Sequence, residues 1–363
     1  ADFSFRSIVA DRTDSLNGSN KMLSNVVTEV ILQKDSLVWL GTGLGVSVIR
    51  DSLTVETLPS DTGLTEGAPS TLLPEGGISA MAVGDQGSDY EKWMFIAAAG
   101  SKNDIPIGKG LAFTTDATVD TTPDSDIYWN YLYQPIDDDY YGQEQSWGDI
   151  GFFKALPITV KQANVTYDIA FSEEYMWIAS WAGGLRRHNL SAHSWERVPL
   201  PMDDQFELIT CDEFDSNGDS TYTKEKNEFH ENRVAYLRDY YLNPRDPEDD
   251  CDTLCGHHNH KAFSVLVYGD TIWVGTANGI NRGIIGPHSR LYCIDWEHYS
   301  YPTHGLSGNF VVGLATQMFN GKRTIWAATV NADDPTEQRG VSYTTNDGLS
   351  WNTALLGERV YNI

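Results

Sequence analysis

The sequence predicts an all-β fold, a β-propeller built from four-stranded antiparallel blades, and three observations support this prediction. A short motif returns along the chain, in which an apolar segment carrying Trp runs into a turn with Gly, as in Trp39–Gly45 and Trp273–Gly279. Related segments are centred on Phe95, Trp177 and Trp326. Gly numbers 32 and aromatic residues make up 12% of the chain, which is typical of many short strands joined by tight turns. A repeat of about 50 residues with four strands in each copy is characteristic of propeller blades.

Each motif lies within the same predicted order of strands. An apolar strand comes first, followed by the strand with the aromatic residue, a third strand after the Gly turn, and a fourth strand that often carries another aromatic residue. Five complete blades result, and they cover residues 26–58, 78–133, 166–198, 262–299 and 310–355. Two intervals between motifs are long enough to require insertions, at residues 134–160 and 201–261. The second insertion is predicted to be partly helical, over Asn227–Leu242.

The two ends of the chain also carry a prediction. Residues Glu358–Ile363 look like the opening of a further first strand. This segment is expected either to pair with Phe3–Val9, which would close the ring and remove an exposed edge, or to lead into further blades; we favour the second. The start at Ala1, without Met or an apolar export segment, is expected of a mature exported protein or of a fragment.

The composition limits the class of partner. The chain has 51 acidic and 25 basic residues, a net charge of −26, which argues against nucleic acid and anionic membrane surfaces as partners. It contains no run of 18 apolar residues, so no membrane insertion is expected. Its four Cys, an even number, suit two disulfides in an exported protein. We therefore expect an extracellular or cell-surface location, with the periplasm as the alternative.

Two of the motifs resemble a known repeat. Trp39–Gly45 and Trp273–Gly279 are similar to the propeller repeat found in the sensor portions of hybrid two-component regulators. That repeat also occurs in secreted propeller proteins of bacteria. The resemblance covers all five blades loosely and these two well. It implies a propeller fold and either a secreted protein or the sensory ectodomain of a two-component-type regulator.

The fifth blade carries a second resemblance, to the Asp-box, whose pattern is Ser/Thr-x-Asp-x-Gly-x-Thr-Trp. Its positions are occupied by Thr344, Asn346, Gly348, Ser350 and Trp351, so that Asn replaces the usual Asp and Ser replaces Thr. In that family the box is a structural turn between the third and fourth strands of a blade. It occurs in sialidases and some glucanases, and also in many proteins that are not enzymes. The resemblance therefore supports the fold rather than a reaction.

The Trp residues divide into two groups. Those of the motif are predicted to pack between neighbouring blades, where a large flat side chain fills the wedge. This group comprises Trp39, Trp177, Trp273 and Trp326. Trp147 and Trp181 lie in or beside loops, and they are the candidates for a ligand surface, with glycans as one candidate ligand.

The second insertion contains one candidate cation site. Asp215, Asn217 and Asp219 have the alternating spacing with which a loop offers oxygen ligands to calcium, the one candidate cofactor. The loop departs from the helix-flanked calcium loop, because Ser220 stands where Gly is expected and Lys226 stands where a bidentate Glu is expected. The alternative is a polar turn that needs no metal.

The densest chemical cluster lies at the end of this insertion and comprises Cys251, Cys255, His257, His258 and His260. The spacing fits zinc ligands, but Cys211 and Cys293 make disulfides the better explanation for an exported protein. We expect one of these two cysteines to bond to Cys251 and the other to Cys255. Such pairing would staple the insertion onto the propeller.

No residue set identifies a catalytic site. With 51 acidic residues and nine His, many pairs or triads of catalytic type could be chosen by chance, so no single choice is evidence of a catalytic site. We predict that the chain is not an enzyme. The leading hypothesis is an exported propeller that presents loops to a protein partner or assembles with itself, since loops on rigid scaffolds carry recognition. The alternatives are a glycan-binding or glycan-hydrolysing propeller of the Asp-box type and the sensory ectodomain named above.

Overall fold

The structure is a computed structural model, and it describes residues 22–33, 37–49, 55–84, 88–117, 127–137, 143–147, 152–172, 175–211, 240–248, 255–286, 293–332 and 334–363. The chain divides into two compact units. Unit 1 comprises Ala1–Pro135 and Lys161–Glu174, and unit 2 comprises Ile136–Val160 and Tyr175–Ile363. Strands are numbered along the chain.

Unit 1 contains two four-stranded antiparallel sheets. Blade 1 places four consecutive strands side by side: β1 (Val27–Gln33), β2 (Leu37–Thr42), β3 (Gly45–Ile49) and β4 (Val55–Thr57). Blade 2 does the same with β7 (Gly77–Val83), β8 (Met94–Lys102), β9 (Ile105–Thr114) and β10 (Asn130–Leu132). Outside the blades, the unit contains a short parallel pair, a 3-10 helix and a further strand: β5 (Ser60–Asp61) with β6 (Leu73–Pro74), Lys161–Asn164, and β13 (Asp168–Ser172).

Unit 2 contains the remaining strands. Its part of blade 3 consists of β14 (Tyr175–Ser180), β15 (Gly184–Asn189) and β16 (Ser194–Arg197). Blade 4 consists of β19 (Ala262–Tyr268), β20 (Thr271–Thr276), β21 (Gly279–Ile285) and β22 (Ile294–Tyr299), with β17 (Glu207–Leu208) added beside β22. Blade 5 consists of β23 (Phe310–Phe319), β24 (Lys322–Val330), β25 (Gly340–Thr344) and β26 (Asn352–Ala354). A separate sheet joins β11 (Gln143–Ser146), β12 (Phe152–Ala155) and β18 (Tyr241–Leu242).

These sheets confirm the prediction of an all-β fold made of four-stranded antiparallel blades. The predicted helix Asn227–Leu242 lies mostly outside the described residues. Its last two residues are not helical, because Tyr241–Leu242 form a strand that pairs in parallel with β12. Only two 3-10 helices occur in the described part, at Lys161–Asn164 and His258–His260.

The Gly turns of the motif have a steric cause. Gly279 opens β21 with a φ of +101°, a conformation that other residues rarely adopt. A Cβ atom at this position would lie 2.1 Å from the carbonyl oxygen of Tyr299 on β22. Glycine therefore lets the third strand start close beside the fourth.

Each unit has its own apolar core. The core of unit 1 lies between blades 1 and 2 and includes Trp39, Val48, Ile78, Ile96 and Trp129. The core of unit 2 lies between blades 4 and 5 and includes Trp273, Ile280, Val311, Ile325 and Trp351. Among the helices of the described residues, none is long and apolar enough to cross a membrane.

Candidate interaction surfaces

Trp39 shows how one blade joins the next within unit 1. Its side chain is buried, and its indole Nε1 donates a hydrogen bond to Gln33 Oε1 at 3.0 Å. The ring meets Trp129 edge-on, with centroids 6.3 Å apart. We call the side of a blade that carries the motif aromatic its donor face. The side of the following blade that covers it is the acceptor face, which in blade 2 is formed by Ile78, Met81, Met94 and Ile96, all buried.

Trp273 repeats this arrangement within unit 2. It is buried on the donor face of blade 4 and packs in one cluster with Val311, Ile325 and Ala327 of blade 5. Trp351 meets its ring edge-on at 5.9 Å. Trp39, Trp177 and Trp273 are buried, as the sequence predicted. In the contact of blade 1 with blade 2 and in that of blade 4 with blade 5, a Trp ring packs against an aliphatic acceptor face, which buries a large apolar area.

The first strand of blade 1 exposes apolar side chains on its acceptor face, although Leu40 and Thr42 of the second strand, on the same side of the sheet, are buried. In the strand register, Val27 pairs with Thr42 as Ile78 pairs with Ala98 in blade 2, and Val30 pairs with Leu40 as Met81 pairs with Ile96. Val27 and Val30 of blade 1 are therefore equivalent to Ile78 and Met81 of blade 2. Val27, Val30 and Leu32 are 41%, 56% and 63% exposed, although their equivalents in blade 2 pack against Trp39.

Blade 5 leaves its donor face exposed. Trp326 occupies the motif position on β24 but is only half-buried, so its predicted burial is wrong. The reason is that the following blade covers such a Trp, as blade 5 covers Trp273, and blade 5 is the last described blade. The Trp326 ring lies 4.9 Å from Tyr343, and its Nε1 donates to Gln317 Oε1 at 3.3 Å. Phe319, on the same side of the sheet, is 68% exposed.

The segment Glu358–Ile363 begins to cover this donor face. A Cβ atom on Gly313 of β23 would lie 3.5 Å from the carbonyl oxygen of Tyr361. A Cβ atom on Gly275, the corresponding glycine of blade 4, would contact Val311, which lies near the start of the first strand of blade 5. The terminal segment thus passes where a further first strand would begin, although the structure assigns no strand to it.

A buried polar network connects the loop end of blade 4 to the second insertion. The side chains of Asn259 and Asn281 exchange two hydrogen bonds of 2.8 Å, and Thr276 Oγ1 donates to Asn259 Oδ1 at 2.7 Å. The carboxylate of Asp203 accepts hydrogen bonds from the backbone N–H groups of His258 and Asn259, at 3.0 and 2.7 Å. The side chains of Asn259, Asn281 and Thr276 are all buried. Their hydrogen bonds to one another offset the cost of removing their polar atoms from water.

Blade 5 repeats this network in smaller form. Ser307, just before β23, bonds through its hydroxyl to Thr329 and Ser342, and its N–H donates to Ser342 Oγ at 2.9 Å. The signal was present in the sequence: a Thr ends the motif strand, and a polar residue follows two positions after the turn Gly, as in Gly279-Ile280-Asn281 and Gly340-Val341-Ser342. The sequence analysis did not predict this network, because it considered the Trp of the motif and not the polar positions beside it.

The histidines around this network are held in the neutral form. Burial lowers the pKa of His260 to about 3, with a smaller contribution from His257. His260 Nδ1 accepts a hydrogen bond from the Asn243 N–H at 2.9 Å, which leaves Nε2–H to donate to the Leu200 carbonyl at 3.1 Å. Burial also lowers the pKa of His298 to about 3. These imidazoles therefore act as hydrogen-bonding groups of the framework across the physiological range.

The two tryptophans predicted to form a ligand surface differ in position. Trp147 is 5% exposed and lies inside unit 2, contrary to the expected surface position. Its Nε1 donates to Thr210 Oγ1 at 3.3 Å, and the guanidinium of Arg187 lies 4.5 Å from its ring, a favourable cation–π contact. Trp181, in the turn between β14 and β15, is 40% exposed, and its role as a ligand contact stays a prediction.

The disulfide connectivity differs from the expected one. Cys211 bonds to Cys293, with a Cα–Cα distance of 5.1 Å. The bond ties the start of the second insertion to the edge of blade 4, where the N–H groups of Thr210 and Cys211 also donate to the carboxylate of Asp295. Cys255 is disulfide-bonded as well, which disfavours a zinc site there. Cys251 lies outside the described residues.

The cation prediction is not addressed by the described residues. Asp215, Asn217 and Asp219, the candidate calcium ligands, lie outside them. Within the described ranges, no group of three or more His, Cys, Asp or Glu side chains is placed to hold a metal ion.

The Asp-box-like segment forms a closed turn between β25 and β26. Thr344 Oγ1 accepts hydrogen bonds from the N–H groups of Asn346 and Gly348, at 3.3 and 3.0 Å. Asn346 Oδ1 accepts from the Ser350 N–H at 3.0 Å, and its Nδ2 donates to Ser350 Oγ at 2.9 Å. Trp351 leaves the turn toward the core. This is the structural role that the resemblance implied.

Comparison with known proteins yields structural likenesses only. No protein-family model and no curated protein matches the chain. Among solved structures, an extracellular domain described as that of a hybrid two-component system of B. thetaiotaomicron aligns with a TM-score of 0.39 and 13% identity, over 98% of this chain and 36% of the other. The GH74 enzyme of Niastella koreensis aligns at 0.42 and 12%, over 90% and 37%. The Cps50 (Swd1) β-propeller domain of Myceliophteria thermophila aligns at 0.41 and 11%, over 95% and 74%.

The chain thus spans about a third of the length of the first two structures. Their names describe different proteins, an extracellular domain and an enzyme. At these identities the likeness concerns the fold alone.

Proposed function

We propose that the chain is a non-catalytic, exported or cell-surface propeller module that works by binding protein, including further copies of itself. The observation that carries this proposal is the exposure of apolar side chains on blade 1 and on blade 5. The acceptor face of blade 1 exposes Val27, Val30 and Leu32, and the donor face of blade 5 exposes Phe319. Apolar residues that are contiguous and exposed mark interaction sites more often than chance.

A non-catalytic role is supported by the hydrogen bonds of two buried side chains, His260 and Asn259. The buried His260 is bonded to the backbone of Leu200 and Asn243, and Asn259 is bonded to Asn281 and Thr276. A side chain whose polar atoms are taken up by the framework is not free to transfer a proton to a substrate. These groups instead hold the loops that surround the blades.

An exported location is supported by the disulfide between Cys211 and Cys293. Such bonds persist in oxidising compartments and are rare in the reducing cytosol. The net charge of −26 makes copies of the chain repel one another, which favours the solubility of an exported chain with exposed apolar side chains.

The test is the molar mass of the purified chain by light scattering over a concentration series of about 1 to 100 μM, a range that reveals contacts of micromolar strength. We expect the mean mass to rise with concentration above that of one chain, which is 40.4 kDa. Leu349→Asp, at a site 88% exposed in the Asp-box turn, is the matched control and should not change the mass. A mass of one chain at every concentration would contradict self-association.

A further inference from the structure

We infer that the outer edge of blade 2 binds an arginine-bearing segment of a protein partner. The inferred contact consists of Glu66, Tyr131 and Tyr133, which all lie in unit 1, and we call it the tyrosine edge. This inference rests on the proposed function, that the chain binds protein, and it names the chemistry of the partner. It concerns a different surface from the exposed apolar side chains of blades 1 and 5.

The backbone around β10 brings the three residues together. β10 is the last strand of blade 2, and the Gly67 N–H donates a hydrogen bond to the Tyr131 carbonyl at 3.3 Å, so the preceding loop runs along its outer side. The Tyr133 N–H donates to Glu66 Oε1 at 3.3 Å. The carboxylate of Glu66 is therefore held at the end of β10, beside the two tyrosines.

The side chains of the tyrosine edge lie close to one another and partly in water. The Tyr131 hydroxyl donates to the Lys109 carbonyl at 3.0 Å, which fixes its ring. Burial raises the pKa of Tyr131, and the neighbouring Tyr133 and Glu66 raise it further. Tyr133 is 38% exposed and Glu66 is exposed as well, so a ligand has access to an aromatic ring and a carboxylate at one place.

Unit 2 shows twice what such a pair of groups binds. The guanidinium of Arg187 lies 4.5 Å from the ring of Tyr175, and its Nε donates to Glu196 at 2.6 Å. Arg282 donates to Glu297 at 3.1 Å and lies 6.0 Å from the Trp273 ring. In both cases an Arg satisfies a carboxylate while its flat face approaches an aromatic ring.

The tyrosine edge has the same two groups without the Arg. Glu66 is not a member of any ion pair found among the described residues. A guanidinium from a partner would supply the missing group, because it donates to a carboxylate and stacks on a ring at the same time. Lysine offers a point charge without the flat face, so we assign arginine.

The sequence around the tyrosine edge adds long-range charge complementarity. Residues 51–91, which include Glu66, contain no Lys, Arg or His, and neither do residues 110–153, which include both tyrosines. Both stretches are rich in Asp and Glu. A negative field of this kind attracts a basic segment and repels an acidic one.

The experiment titrates a short peptide, in which Arg alternates with Gly-Ser pairs, into the whole chain carrying ¹³C-labelled tyrosine. NMR follows the ring signals of Tyr131 and Tyr133, which the variants Tyr131→Phe and Tyr133→Phe assign. We expect these two signals to shift together along one binding curve. Shifts that leave both signals unchanged would overturn the inference, because the peptide would then bind elsewhere or not at all.

Matched charge variants separate a specific contact from general attraction. Glu66→Gln keeps the oxygen that accepts the Tyr133 N–H and removes only the charge, so it should raise the Kd about two- to fivefold, as expected for an exposed ion pair with a cation–π contact. Asp104→Asn removes the same charge in the turn before β9, whereas Tyr131 pairs with Ala112 near the end of that strand. Asp104 is exposed with a φ of +62°, a conformation that Asn also adopts, and this variant should keep the wild-type Kd.

Equal Kd values for Glu66→Gln and Asp104→Asn would overturn the inference, since the peptide would then sense only the net charge. Equal binding of a peptide with Lys in place of Arg would overturn the assignment to arginine. Circular dichroism checks that each variant is folded. If the Arg peptide does not bind while the mean mass of the chain rises with concentration, this inference falls and the proposed function stands; if neither occurs, both fall.

Discussion

At the residue scale, the same residue type at the same repeat position has two different environments. Trp273 is enclosed by blade 5, whereas Trp326 keeps an open side. The sequence motif is nearly the same around both residues. The difference arises only from what lies beside each blade.

This contrast gives a stability prediction. Trp273→Ala should lower the free energy of unfolding by about 3–5 kcal/mol, as expected for truncation of a buried aromatic side chain. Trp326→Ala should cost less than Trp273→Ala, about 1–2 kcal/mol, because part of the Trp326 side chain stays in contact with water in the folded chain. Urea unfolding monitored by circular dichroism measures both. Equal losses for the two variants would show that Trp326 is enclosed as fully as Trp273.

The buried histidines make stability depend on pH. Burial lowers the pKa of His188 to about 4, and the pKa values of His260 and His298 to about 3, from an ordinary value near 6.5. Between these values the unfolded chain binds more protons than the folded one. Their contribution to stability is therefore complete above about pH 6.5 and is lost as the pH falls below it.

His188→Phe tests this dependence. The His188 ring lies 4.6 Å from Trp195, and neither ring nitrogen has a hydrogen-bond partner in the described part of the chain, so a phenyl ring keeps the packing. We expect the loss of unfolding free energy between pH 7 and pH 5 to shrink by about 1–2 kcal/mol. Trp195→Phe alters the same contact but keeps the imidazole, and it should leave the pH dependence as it is. An unchanged pH dependence in His188→Phe would contradict the assignment.

At the element scale, the Asp-box turn shows how a departure from a familiar pattern is accommodated. Asn346 replaces Asp, yet its Oδ1 accepts from the Ser350 N–H and its Nδ2 donates to Ser350 Oγ. An amide and a serine hydroxyl thus close the turn together. Gly348 has a φ of +92° and faces the Tyr299 ring, which favours glycine there.

Two substitutions test this turn. Asn346→Ala should cost about 1–2 kcal/mol, because it removes a side-chain acceptor from the turn backbone. Asn346→Asp should be nearly neutral, since Ser350 Oγ then donates to the carboxylate instead of accepting from the amide. Thermal unfolding of the two variants gives the comparison, and an equal loss in both would indicate that the hydrogen bonds of this side chain do not stabilise the blade.

The strands themselves were largely predictable from the sequence, because apolar alternation and Gly turns are local signals. For example, the four strands β19 to β22 span residues 262–299, which are the bounds predicted for the fourth blade. The burial of Trp147, the exposure of Trp326 and the Cys211–Cys293 bond were not predictable. Each depends on segments that are far apart in the sequence and meet only in the folded chain.

At the scale of the whole molecule, the disulfide joins positions 82 residues apart within unit 2. A cross-link across a loop of this size should stabilise the fold by about 4 kcal/mol through the unfolded state. The double variant Cys211→Ser with Cys293→Ser should lose about this amount in urea unfolding. Mass spectrometry of unreduced peptides should recover a Cys211–Cys293 link, and a link from Cys211 to any other cysteine would contradict the pairing.

The central claim is that this propeller chain works through contacts with protein and that the exposed apolar side chains of blades 1 and 5 carry them. The measurement that tests it most directly is sedimentation velocity of the wild type and of Trp326→Asp at the same concentrations. The account predicts concentration-dependent larger species for the wild type and a single one-chain boundary for the variant. Identical boundaries for both proteins would contradict it.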